Sequence, residues 1–208
     1  MPGKRTSDER KFKLIKAVGD TLTEKGYEAF GLNKIAASAG VSKPMIYEYF
    51  GSLNRLLKAY IAGKDSWMPY LETLQLPEHP TSEELKNCFI TMLQDQFRFF
   101  HQEKEMRRLV HWQIRSYNPL MRATCEARER EGARILKLAD DHFRKSGISL
   151  KAVMAMLVGG IYHNVLHDTA GLGTMAGIDL KNDKDLDIML KTIAQIVEWA
   201  FNAAAKEN

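Results

Sequence analysis

The chain has 208 residues, 45% apolar and 27% charged, the balance of an ordinary globular protein with enough length to bury a core unaided by disulfides or metals. Cys88 and Cys125 are its only cysteines and form no CxxC pair, which excludes a cysteine zinc site and a dithiol motif and fits a reducing compartment. The net charge of +4 is uneven: residues 1–60 hold eleven Lys and Arg against six Asp and Glu, the remainder nineteen against twenty. That distribution suits a polyanion-binding module fused to a neutral one, although uneven surface charge alone decides nothing. No apolar stretch follows the basic N-terminus, and the longest apolar run, residues 152–162, is too short to span a bilayer. A cytoplasmic protein with no membrane contact is expected.

Almost every segment has helical periodicity, so an all-α fold is expected. A first helix spans about 8–25, with Thr6 and Glu9 as a capping box and Phe12, Ile15, Val18 and Leu22 on its buried face. Gly26 ends it. Short helices follow over about 33–39 and 43–50, separated by Gly40-Val41-Ser42, with Ser42 as cap and Pro44 in the first turn of the second. Gly51-Ser52 breaks the chain. A fourth helix starts at Leu53 and continues toward Trp67, and the domain junction falls between Lys64 and Pro80. Thr81 with Glu84 caps a helix to about 104; further helices cover about 106–116, 119–145 behind Asn118-Pro119, 149–168 behind Ser149, and 184–204. Two helical domains are expected, over 1–60 and 61–208.

Residues 32–50 carry the functional signal. A helix-turn-helix needs a small residue where its helices cross, a left-handed residue to leave the first helix, and apolar residues to clamp both. Ala36, Gly40 and the trio Ile35, Val41 and Ile46 meet those needs. Lys43, Met45, Tyr47 and Glu48 are left facing outward, as on a recognition helix. The runs Glu24–Glu28, Ile35-Ala36, Ala39–Lys43 and Ile46–Phe50 resemble the N-terminal domain of TetR-family transcriptional regulators, across residues 15–57. The resemblance implies a three-helix DNA-binding domain with helix-turn-helix over 1–60 and a helical ligand-binding and dimerisation domain over 61–208, in a homodimeric regulator, a repressor by family habit, that reads a near-palindromic double-stranded operator and is released by a small molecule. It implies DNA contacts from Ser42 and Lys43 at the start of the recognition helix, base reading from Pro44 and Met45, and backbone contacts from Tyr47 and Tyr49, where Tyr49 is equally suited to be core. Lys34 and Arg55 complete the set, though lysines such as Lys34 and Lys43 are often merely solvated. Three positions depart from the family pattern: Gly31 in place of a hydroxyl cap, Leu53 in place of a phosphate-binding lysine, and Glu48, a carboxylate in the recognition helix.

The C-terminal residues say less. The resemblance implies dimerisation through the last two long helices, where Gly159 and Gly160 allow close approach and Ile188, Ile193, Ile196 and Val197 offer apolar area. An apolar or aromatic effector suits candidate pocket residues Met92, Phe97, Trp112, Tyr117, Met154, Tyr162 and His163, each of which is also an ordinary core type. His163 and His167 stand one turn apart, too small a set to assign a metal. No phosphate loop, nucleophile elbow, HExxH or metal-cysteine set occurs, so no enzyme activity and no cofactor is expected. A ligand-free architectural or single-strand binder is the remaining alternative.

Overall fold

The computed structural model describes residues 2–64 and 76–207, apart from the side chains of residues 2–6 and 207. The expected continuation of the fourth helix to Trp67, and most of the expected junction, lie outside those residues. The described chain is helical throughout, with one isolated antiparallel bridge, Met175 to Ile178, in the glycine-rich segment after residue 169. No described helix is long and apolar enough to cross a membrane.

The first compact unit comprises described residues 2–64 and 104–125. It contains α1 (Pro2–Lys25), a 3-10 turn (Tyr27–Ala29), α2 (Leu32–Ala39), α3 (Lys43–Phe50), α4 (Leu53–Lys64) and α6 (Lys104–Arg115). The apolar spacing of α1 buries Leu14, Ala17, Val18 and Leu22 against α2 and α4, and α4 contributes Leu56, Leu57, Tyr60 and Ile61. Thr21, in the same face, donates its hydroxyl proton to the Ala17 carbonyl at 2.7 Å, so its burial leaves no polar atom unpaired. Two expectations fail in α1. It begins at Pro2 rather than near Asp8, so Thr6 lies inside the helix and not at a cap; proline is well suited to a first helical turn. Phe12 is 67% exposed, because residues 8–13 all lie outside the packed part of the helix.

The second unit comprises described residues 76–103 and 126–207. Its helices are α5 (Ser82–Gln102), the later part of α7 (Pro119–Lys137), α8 (Asp140–Phe143), α9 (Leu150–Thr169) and α10 (Asp183–Glu207). The capping box at α5 forms as expected: the Glu84 amide donates to the Thr81 hydroxyl, and the Thr81 amide donates to the Glu84 carboxylate at 2.7 Å. Asn118 and Ser149 likewise accept amide protons at the starts of α7 and α9. The core joins α5 to α9 and α10, with Phe89, Phe97, Phe100, Ile161, Val165, Val197 and Phe201 buried.

The helix expected over 119–145 is interrupted. Leu138 and Ala139 donate to carbonyls three residues back, which tightens the chain into a turn after Lys137. The turn brings Phe143 edge-on to Phe201, ring centroids 4.9 Å apart, and His142 onto the same ring at 5.1 Å. Ile193 and Val197, expected at a dimer face, are instead buried within this unit, while Ile188 is exposed.

Candidate nucleic-acid interface

The turn between α2 and α3 has the geometry its residue types dictate. Gly40 adopts the left-handed conformation (φ 63°, ψ 33°). The Gly40 amide donates to the Ala37 carbonyl at 3.1 Å and the Val41 amide to that of Ala36 at 3.0 Å, so the carbonyls at the end of α2 are satisfied inside the turn. Ile35, Ala36 and Ile46 are buried and Val41 is half-buried, which fixes α3 across α2.

That arrangement leaves one face of α3 in solvent. Ser42, Lys43, Pro44, Tyr47 and Glu48 are exposed, Tyr47 to 52%, and Met45 and Tyr49 are half-buried. Ser42 occupies the N-cap position, but its hydroxyl makes no capping bond, contrary to the expectation. A hydroxyl and the amides of a helix N-terminus therefore face outward together, a combination suited to phosphate. Lys34 is exposed on α2.

The recognition helix ends at Gly51 (φ 73°), whose amide donates to the Tyr47 carbonyl at 2.8 Å. A Cβ on Gly51 would stand 3.1 Å from Nη1 of Arg55, so the Arg55 guanidinium lies over the carbonyl end of α3, where the helix dipole favours a cation. Ser52 accepts the Arg55 amide at 3.2 Å. The sequence reading has Gly51-Ser52 only as a break and misses this cap, although a serine directly before a helix is its signal. It also misses Arg10, whose Nη1 donates to the Tyr49 hydroxyl at 3.3 Å. The only sequence signal for Arg10 was the excess of basic residues at the start of the chain.

Of the departures, Gly31 stands at the N-cap of α2 and supplies its carbonyl to the Ile35 amide with no side-chain cap. Leu53 is half-buried at the first position of α4.

The candidate effector residues divide between the two units. Trp112 belongs to the first unit, buried against Tyr27 and Phe30 at ring distances of 5.7 and 5.1 Å. Tyr117, also in that unit, is 79% exposed. In the second unit Met92, Phe97 and Met154 are buried, and His163 is exposed with its ring 6.2 Å from that of His167. Tyr162 is half-buried; its hydroxyl accepts from the Gln96 amide at 2.9 Å and its ring lies 4.9 Å from Phe100. Among the described residues no group of three metal-ligating side chains occurs.

Two clefts open on the second unit. One, about 400 Å³, runs beside Leu136, Phe143, Ile148 and Leu150; the other, about 570 Å³, lies between His79, Ser82, Arg134, Lys137 and His142. None of the seven expected effector residues lines either.

Comparison with known proteins agrees with this geometry. Residues 14–60 match the family of bacterial regulatory proteins of the tetR type. The HTH-type transcriptional activator FasR of Mycolicibacterium smegmatis is 42% identical over 55 residues, 26% of this chain and 24% of that protein, so the match spans about a quarter of the curated relative. A Clostridium perfringens protein described as a fatty acid metabolism regulator superposes with a TM-score of 0.63 at 20% identity, covering 88% of this chain and 97% of that one. The transcriptional regulator FadR of Bacillus subtilis, solved with stearoyl-CoA, superposes with a TM-score of 0.58 at 17% identity, covering 89% and 96%. These two likenesses establish the fold over nearly the whole chain.

Proposed function

From a chain that carries the DNA-binding domain of the TetR family of transcriptional regulators, we infer a homodimeric, effector-responsive regulator that binds a near-palindromic operator and is released from it by a small apolar molecule. The observation that carries this reading is the outward face of α3, where Ser42, Lys43, Pro44 and Tyr47 stand exposed on a helix held by the left-handed turn at Gly40. Each chain has one such helix, and reading two half-sites one helical turn apart requires two copies.

The second copy has a face to dock on. Met156 on α9 is 78% exposed and Trp199 on α10 63%, and Ile188, about three turns before Trp199 on α10, is exposed as well. A Cβ at Gly159 or Gly160 would meet nothing within 4 Å, so packing inside the chain does not require glycine at either position. Exposed large apolar groups beside small residues are what a helix–helix interface between copies uses.

The effector class follows from two considerations. The core between α5 and α9 is aromatic and methionine-rich, around Met92, Phe97, Phe100, Met154 and Tyr162. Two of the solved relatives are described by fatty acid regulation or hold stearoyl-CoA. A fatty acyl group is therefore the effector to try first. Release needs the effector to favour a state with poor operator affinity; a hundredfold loss corresponds to about 2.7 kcal/mol of differential binding, within the reach of one apolar ligand.

The curated relative is an activator, which favours a second reading in which the bound chain recruits rather than blocks transcription. One experiment separates the two and tests the first: operator capture from fragmented genomic DNA, followed by a reporter behind the captured site with and without the chain. Repression gives more reporter without the chain and activation gives less; capture of no discrete site contradicts both. Adding stearoyl-CoA, against coenzyme A alone, should release the captured DNA.

A further inference from the structure

Arg10 stands on α1 before the buried stretch that begins at Leu14, within a run of six exposed residues, 8–13. It lies outside the residues matched by the family, 14–60. Residues 1–13 hold five basic side chains against two acidic ones. The Arg10 guanidinium donates to the hydroxyl of Tyr49 on the recognition helix at 3.3 Å. Among the described residues no carboxylate forms a salt bridge with it, although Glu48 is near enough to be felt electrostatically. Lys16, two turns further along α1, differs: its ammonium is tied to Asp20 at 2.6 Å.

The chemistry of the pair is directional. Arginine has five N–H donors and no acceptor, and the Tyr49 oxygen uses a lone pair to accept one of them. The tyrosine proton is then left to donate elsewhere, and the guanidinium keeps further N–H donors and its positive charge, because a neutral phenol cannot neutralise it. A bidentate or bridging acceptor with negative charge satisfies both, and phosphate has that geometry. A bond between two solvent-facing groups adds little to fold stability by itself.

We propose that Arg10 and Tyr49 together clamp one backbone phosphate of the bound DNA, so that Arg10 is an operator-contacting residue outside the helix-turn-helix. The proposal rests on the DNA-binding reading above. It gives Tyr49 a phosphate role despite its half-buried ring, and it places a cation where Glu48 would otherwise repel the DNA backbone. The contact positions the protein and carries no sequence information.

The test uses the full chain and a mixed-sequence duplex of roughly 30 base pairs, titrated at several salt concentrations by fluorescence anisotropy. Wild type should bind with log affinity falling as log salt rises. Arg10→Gln should weaken binding and make the slope shallower by about one unit, the share of one phosphate contact. Arg10→Lys should keep the slope. Tyr49→Phe should weaken binding less than Arg10→Gln, and the double variant should lose less than the two single losses combined, because both act on one phosphate. Lys16→Gln, at a cation already paired, should leave the slope unchanged. An Arg10→Gln slope equal to wild type, strictly additive losses, or a lowered melting temperature that accounts for the lost affinity would each overturn the clamp. A wild type that binds no duplex even at low salt would instead overturn the DNA-binding reading on which it rests.

Discussion

The indole of Trp112 stacks on the phenol ring of Tyr27, centroids 5.7 Å apart and planes 11° from parallel, while Phe30 meets the same indole edge-on. Residues 27 and 30 lie in the linker between α1 and α2, so α6 is part of the core of the first unit.

Removing that indole should destabilise the unit. Trp112→Ala is expected to cost about 3–5 kcal/mol, the range for large aromatic truncations in a core, and Trp112→Phe distinctly less because one ring remains to stack. Thermal unfolding followed by circular dichroism checks this. A Trp112→Ala variant with unaltered melting and altered effector response would make Trp112 a pocket wall and not a core residue.

Tyr60 and Lys64 on α4 both reach Glu105 on α6, at 3.0 and 2.9 Å. Burial and then the Glu105 carboxylate push the Tyr60 phenol well above its ordinary value of 10.0. The folded state therefore holds this proton more tightly than the unfolded chain does. Its contribution is fully present below pH about 10, where an unfolded tyrosine ionises, and is lost as pH rises beyond that. Urea midpoints between pH 8 and 11 should fall at the alkaline end, and Tyr60→Phe should flatten the fall. Equal alkaline slopes for the two proteins would contradict the assignment.

Gly40→Ala isolates the backbone of the turn, since a Cβ there would meet nothing within 4 Å. The left-handed conformation alone should cost about 1–2 kcal/mol. Denaturant unfolding should show that loss, with DNA affinity falling in parallel if α3 is displaced; an unchanged midpoint would mean that the turn relaxes freely.

A charge on the outer face of α9 and α10 should separate the copies. Met156→Glu with Trp199→Glu is expected to shift sedimentation from twice the chain mass to the chain mass while helicity is kept, since neither side chain belongs to the core. A wild type that sediments as a monomer at micromolar concentration would remove the dimer from the account.

These results mark what a single sequence exposes. The turn from Ile35 to Phe50 was legible because a tight crossing of two helices admits few residue types at Ala36, Gly40 and Ile46. The caps at Thr81, Asn118 and Ser149 were legible because each is a local hydrogen-bond pattern. Phe12 misled because it shares the helical spacing of Leu22, and spacing does not reveal where the neighbouring helices stop. The turn after Lys137 contains neither glycine nor proline and is set by Phe143 meeting Phe201, nearly sixty residues away. The packing of Trp112 was not legible, because its contact with Tyr27 joins residues far apart in sequence and a pocket wall and a core use the same aromatic residues. Arg10 and Tyr49 likewise meet across 39 residues.

If the exposed face of α3 binds duplex DNA, the loss of Lys43 should be felt in that binding. Full-length wild type and Lys43→Ala should be titrated with a duplex spanning the DNA upstream of the chain's own coding sequence, from about 50 to 200 mM salt, where phosphate-driven affinity falls steeply. Wild type should bind, and Lys43→Ala, folded as wild type, should bind more weakly. The loss should appear either as a salt slope about one unit shallower, for a phosphate contact, or as about 1–3 kcal/mol of relaxed preference at one base pair, for a base contact. Lys43→Ala binding with unchanged affinity, slope and base preference, or a wild type that binds no duplex at 50 mM salt, would contradict DNA binding by that face.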